Sequence, residues 1–76
     1  MKIENLVSMA NQIGDFFKSF PDQVQAKKDI AQHLERFWAS SMRDQILAYV
    51  IETNGQGLAP IVRDAIKQHI SSNHKK

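Results

Sequence analysis

Apolar residues recur at spacings of three and four along most of the chain, which is the period of an amphipathic α-helix. The strict alternation that indicates β-strands does not occur. The pattern divides into four predicted helices, at about residues 3–19, 23–39, 42–53 and 60–70. We therefore predict an all-α protein, a compact four-helix domain with short turns that spans residues 1–71. Residues 72–76 are predicted to form a flexible basic tail.

Residues typical of helix ends separate the four segments. Asp22 is a strong N-cap candidate for the second helix, and Ser40 or Ser41 is expected to cap the third. The Asn54-Gly55 pair is expected to end the third helix, because glycine readily takes the left-handed conformation found there. Pro60 suits the first position of the fourth helix.

The apolar face of the second helix has the width of an ordinary core-facing stripe. On a helical wheel its apolar residues, including Phe37 and the only tryptophan, Trp38, fall within an arc of roughly 120°. We expect Phe37 to lie mainly in the core. Trp38 falls at the edge of the arc, so core and rim are both open to it, and a rim aromatic is a common binding hot spot.

The first helix has a broader apolar face, because Met9 and Phe16 widen its arc to roughly 180°. Met9, Ile13, Phe16 and Phe20 form a second apolar stripe beside the first one. Contact with two neighbouring helices explains such a width. Alternatively, one stripe is left exposed for another protein, or for a second copy of this chain in a homodimer.

Composition excludes several kinds of site. The 76 residues contain no cysteine, so disulfides, thiolate zinc sites and cysteine-bound iron–sulfur clusters are ruled out. The net charge of +2 is too evenly spread for the dense basic stripe of a nucleic-acid binder. No apolar run reaches the roughly 20 residues of a membrane span, and we see no signal peptide. These features predict a cytoplasmic protein.

Candidate catalytic groups are few. His33, Ser40, Ser41 and Asp44 lie close together in sequence, as a nucleophilic triad would require after folding, but the serines are better explained as helix caps. An enzyme that uses His33 therefore remains only an alternative. A second alternative is a small helical nucleic-acid-binding protein, suggested by the isoelectric point of about 9.2.

Four short blocks together resemble a known family, the delta subunit of NAD-dependent, molybdenum-containing formate dehydrogenase. They are "MANQIGDFF" from Met9, "HLERFW" from His33, "MRDQILAYV" from Met42 and "GLAPIVRDA" from Gly57. The likeness runs from about residue 3 to residue 66. The chain departs from the family pattern at Ser40, where proline is frequent, and at Ser41 and Ala59.

The resemblance implies a non-catalytic accessory subunit that binds the large catalytic subunit and aids assembly, stability or molybdenum-cofactor insertion. It implies that this chain binds no cofactor by itself. Molybdenum bis-pterin guanine dinucleotide, iron–sulfur clusters, FMN and NAD are expected in the partner subunits. Neither a membrane nor a nucleic acid is expected as a partner.

Two groups of residues are the candidates for partner binding. The first lies at the junction of the second and third helices and comprises Phe37, Trp38, Met42 and Arg43, with His33 one turn earlier. The second lies on the broad face of the first helix and comprises Met9, Asn11, Phe16 and Phe20.

Overall fold

Four α-helices form the part of the chain that the computed structural model describes, residues 2–70. They are α1 (Ile3–Phe17), α2 (Gln23–Phe37), α3 (Ser40–Thr53) and α4 (Pro60–His69). Each helix contacts the other three, and α2 and α4 share the most extensive contact. The predicted all-α, compact four-helix domain is confirmed. The tail predicted at 72–76 lies outside the described residues.

One apolar core joins all four helices. Each helix contributes branched aliphatic side chains that are fully or almost fully buried, namely Leu6, Ile30, Leu34, Ile46, Val50, Val62 and Ile66. The residues are spaced by three or four along α2, α3 and α4, as the sequence pattern predicts. Burial of such side chains is the main favourable contribution to folding in a domain of this size.

The N-cap of α2 is the residue predicted from the sequence, whereas the N-cap of α3 is not. The Asp22 carboxylate accepts a hydrogen bond from the Gln25 backbone N–H at 3.1 Å, which confirms Asp22 as the N-cap of α2. At α3 the N-cap is Ala39, without a side-chain hydrogen bond. The predicted serine cap is therefore wrong, because α3 begins two residues early and both serines fall inside its first turn.

The α3–α4 turn uses residues that tolerate a left-handed backbone. Asn54 itself takes this conformation, with a φ of 59°, and Gly55 and Gly57 follow with φ of 77° and 86°. The predicted end of α3 at Asn54-Gly55 is confirmed. A side chain larger than hydrogen is unfavourable at positive φ, which explains both glycines.

Gly14 allows α1 and α4 to approach closely. It is buried on α1, and a Cβ atom built there would lie too near Val62 Cγ2 on α4 for any ordinary contact. Inside a helix, alanine is normally more favourable than glycine by about 1 kcal/mol. Here the steric conflict opposes that preference, so glycine is required by packing.

We expect Gly14→Ala to lower the free energy of unfolding by about 1–2 kcal/mol, because overpacking a buried contact outweighs the gain in helix propensity. Urea denaturation measures the change. Ser8→Ala, at an exposed position of α1, is the control and should shift stability by less than about 0.5 kcal/mol. A Gly14→Ala/Val62→Ala chain should lose less than the sum of the two single changes. A stabilised Gly14→Ala chain would contradict the close approach.

Candidate protein-binding surface

The adjacent aromatics at the end of α2 point in opposite directions. Phe37 is 71% exposed, whereas Trp38 is only 6% exposed and belongs to the core. The prediction that Phe37 lies mainly in the core is wrong. Helix α2 ends at Phe37, and Trp38 has an extended backbone, with φ −94° and ψ 141°. The helical wheel therefore no longer applies at Trp38, and its indole takes the core position.

Arg43 on α3 holds this helix end in place. Its Nη1 donates to the backbone carbonyl oxygens of Trp38 at 2.6 Å, Glu35 at 3.2 Å and Leu34 at 3.5 Å. The Leu34 carbonyl also accepts from the Trp38 backbone N–H at 2.9 Å. Carbonyls at the end of a helix carry partial negative charge and lack most of their helical partners, so a guanidinium group stabilises them. Arg43 thus connects α3 to the C-terminal end of α2.

The first predicted group of partner-binding residues is therefore split. Trp38 is buried, and Met42 is half-buried against the core. The guanidinium of Arg43 contacts backbone of its own chain. These contacts give the three residues structural roles, and their use in partner binding remains a prediction. Phe37 and the half-buried His33 face outward together, with ring centroids 4.7 Å apart.

The second predicted group is also split. Asn11 binds the α3–α4 turn with both ends of its amide: Nδ2 donates to the Gly57 carbonyl, and Oδ1 accepts from the Ala59 N–H, each at 2.9 Å. Met9 is half-buried and packs against the core. Partner binding by Asn11 and Met9 also remains a prediction. Phe16 and Phe20 remain as the exposed members of this group.

Phe16 and Phe20 form an aromatic cluster with Phe17 at the end of α1. The ring centroids of Phe17 lie 4.9 Å from Phe16 and 5.2 Å from Phe20, and those of Phe16 and Phe20 are 6.0 Å apart. The two pairs that include Phe17 have edge-to-face geometry, which is favourable for aromatic rings at these distances, and the Phe16–Phe20 pair is tilted. Phe16 is 68% exposed and Phe20 36% exposed. The cluster therefore presents aromatic faces to the surroundings.

An open depression of about 220 Å³ connects this cluster with the end of α2. Its lining includes Phe17 from α1 and both His33 and Phe37 from α2. Polar side chains of α2 complete the lining, namely Asp29, Gln32 and Arg36. We call Phe16, Phe17, Phe20, His33 and Phe37 the aromatic surface. Four of its members were predicted as partner-binding residues, and Phe17 was not.

Neither a metal site nor a membrane span is evident within residues 2–70. No group of three or more His, Asp or Glu side chains there is arranged to hold a metal ion. None of the four helices is both long and apolar enough to cross a bilayer.

The fold and the surface together define a small helical protein with exposed aromatic side chains at one face. The family described as the NADH-dependent formate dehydrogenase delta subunit, FdsD, matches residues 5–66 of the 76. The chain therefore belongs to this family, and the resemblance seen in the sequence is confirmed. No curated protein and no solved structure matches it.

We expect Arg43→Met, which removes the guanidinium and keeps an unbranched stem, to lower the free energy of unfolding by about 1–3 kcal/mol. Urea denaturation, monitored by the fluorescence of Trp38, measures this loss of stability. Trp38 is the only tryptophan of the chain and lies at the helix end concerned. Arg36→Met is the control, since Arg36 is an exposed cation in the same last turn of α2. Equal stability of the two variants would show that the carbonyl contacts contribute little.

Proposed function

We propose that this chain is a non-catalytic accessory subunit of a cytoplasmic formate dehydrogenase complex and binds the large molybdenum subunit through the aromatic surface. In this proposal the chain aids assembly, stability or insertion of the molybdenum cofactor. Molybdenum bis-pterin guanine dinucleotide, iron–sulfur clusters, FMN and NAD are held by the partner subunits. Membership of the delta-subunit family supports the choice of complex.

The observation that carries the proposal is the exposure of Phe16 and Phe37. A domain of this size has few large apolar side chains, and leaving two phenylalanines more than two-thirds exposed forgoes the free energy of burying them. Grouped exposed aromatics are typical of protein-binding surfaces, where they act as anchors. Binding a larger subunit would bury these rings.

The depression between the two aromatic groups suits an inserted side chain. Phe17 and Phe37 provide apolar contact, while Asp29, Gln32 and Arg36 provide hydrogen-bonding groups around it. Binding interfaces commonly combine an apolar centre with a polar rim in this way. The arrangement supports insertion of one side chain of the large subunit at this point.

We expect Phe37→Ala to weaken binding to the large subunit by about 2 kcal/mol, or roughly a 30-fold higher Kd, because an anchoring aromatic contact is lost. Phe37 is exposed and makes no core contact, so the free chain should keep its stability. Calorimetric titration against the large subunit measures the Kd. Phe16→Ala should also raise the Kd.

Ile51→Ala is the matched control for these variants. Ile51 is 74% exposed on α3 and lies outside the aromatic surface, so its truncation removes a comparable apolar side chain elsewhere. Its Kd should stay within about twofold of the original value. If Phe16→Ala and Phe37→Ala also bind normally, the aromatic surface is not the binding site.

A second prediction concerns the role of the chain in the complex. In cells that lack it, we expect either less molybdenum per large subunit or a complex with normal molybdenum that dissociates during gel filtration. The first result indicates cofactor insertion, and the second indicates stabilisation. Metal analysis and subunit composition distinguish them.

Re-expression of the original chain should restore the complex, whereas the Phe16→Ala/Phe37→Ala chain should restore it poorly. If the complex that forms without the chain has a normal molybdenum content and stays associated during gel filtration, the proposed role is contradicted.

A further inference from the structure

A second recessed area lies between the start of α1 and the exposed face of α3. It consists of two adjoining depressions, of about 450 and 400 Å³, which share Ile3 and Tyr49. We call it the α1–α3 groove and define it by its lining residues: Ile3, Glu4, Val7, Gln45, Ala48, Tyr49, Glu52, Gln56 and Gly57.

The groove is separate from the aromatic surface. The two areas share no residue, and on α1 they lie near opposite ends of the helix. Thirteen positions separate Ile3 from Phe16, which corresponds to about 20 Å along a helix. A partner that contacts both areas must therefore extend along the domain.

The groove is acidic although the chain as a whole carries a net charge of +2. Among residues 2–70, the charged residues that line it are Glu4 and Glu52, one on each of the two helices. Within residues 2–70 the ion pairs involve Asp15 and Asp64, and neither groove glutamate takes part in one. Both carboxylates are exposed. They are therefore available to a cation from another molecule.

Tyr49 provides the aromatic part of the groove lining. Its hydroxyl donates to the Gln56 carbonyl oxygen at 2.6 Å, which fixes the orientation of the ring. It lines both depressions, and Ile3 and Val7 add aliphatic contact beside it. A groove that combines an aromatic ring with carboxylates is a favourable environment for an ammonium or guanidinium group.

We propose that the α1–α3 groove binds a lysine or arginine side chain of the large subunit, together with an apolar residue beside it in sequence. The cation pairs with Glu4 and Glu52 against the ring of Tyr49, and the apolar neighbour packs on Ile3 and Val7. The choice of the large subunit rests on the proposed function. The choice of a basic segment rests on the charge of the groove.

The test is titration of the full chain against the large subunit at low and high salt. A Glu4→Gln/Glu52→Gln chain should have a Kd raised roughly two- to tenfold at low salt, because two exposed ion pairs are lost. The difference should shrink near 1 M salt, where screening is strong. Glu35→Gln is the matched control, because it removes an exposed glutamate of α2 that lines neither area.

The outcomes separate this inference from the proposed function. If the glutamine variant binds like the original chain at low salt while Phe37→Ala binds weakly, the groove is not a binding site and the proposed function stands. If the original chain does not bind the large subunit at all, both fail. If the original chain sediments as a dimer and the glutamine variant as a monomer, the groove binds a second copy, and the choice of the large subunit is wrong.

Discussion

The contact of Arg43 with the C-terminal carbonyls of α2 stabilises the helix end at which this small domain presents its aromatic side chains. One guanidinium nitrogen lies within hydrogen-bonding distance of the carbonyls of Leu34, Glu35 and Trp38. Just beyond this helix end, Trp38 continues in an extended conformation and enters the core, while Phe37 stays on the surface. Arg43, which the sequence suggested as a partner-binding residue, thus has a structural role. Arg43 contacts the helix end at which Trp38 turns into the core and Phe37, the proposed partner contact, stays exposed.

Asn11 has a comparable structural role at the α3–α4 turn. Its amide fixes the backbone of Gly57 and Ala59 against α1 through two hydrogen bonds. Ala59 provides no cap of its own, and the side chain of Asn11 engages its N–H. Polar side chains in the middle of α1 and at the start of α3 therefore hold the turns that the short chain cannot stabilise by apolar burial alone.

Sequence reasoning succeeded for most features set by local rules, although the serine cap predicted for α3 was wrong. It failed for the orientation of side chains at the helix ends. The helical period identified all four helices, and Asp22 and Asn54 act at helix ends as their residue types predict. The orientation of Phe37 and Trp38 was not predictable, because it depends on where α2 ends. The helical wheel assumes a continuous helix, and it ceases to apply at the residue where the backbone becomes extended.

The candidate surfaces, too, were predictable from the sequence only in part. Phe16, Phe20 and Phe37 were found by apolar pattern, but the pattern alone did not say which apolar stripe faces the core. The α1–α3 groove had no signal in the sequence, because Glu4 and Glu52 are 48 positions apart and line adjoining depressions only when α1 packs beside α3. The two areas differ in chemistry as well: one offers aromatic contact, the other carboxylates beside a tyrosine ring. Aromatic anchors contribute most to affinity, whereas exposed charges mainly steer association and fix orientation. A partner that contacts both areas would therefore be held at one end of α1 and oriented at the other.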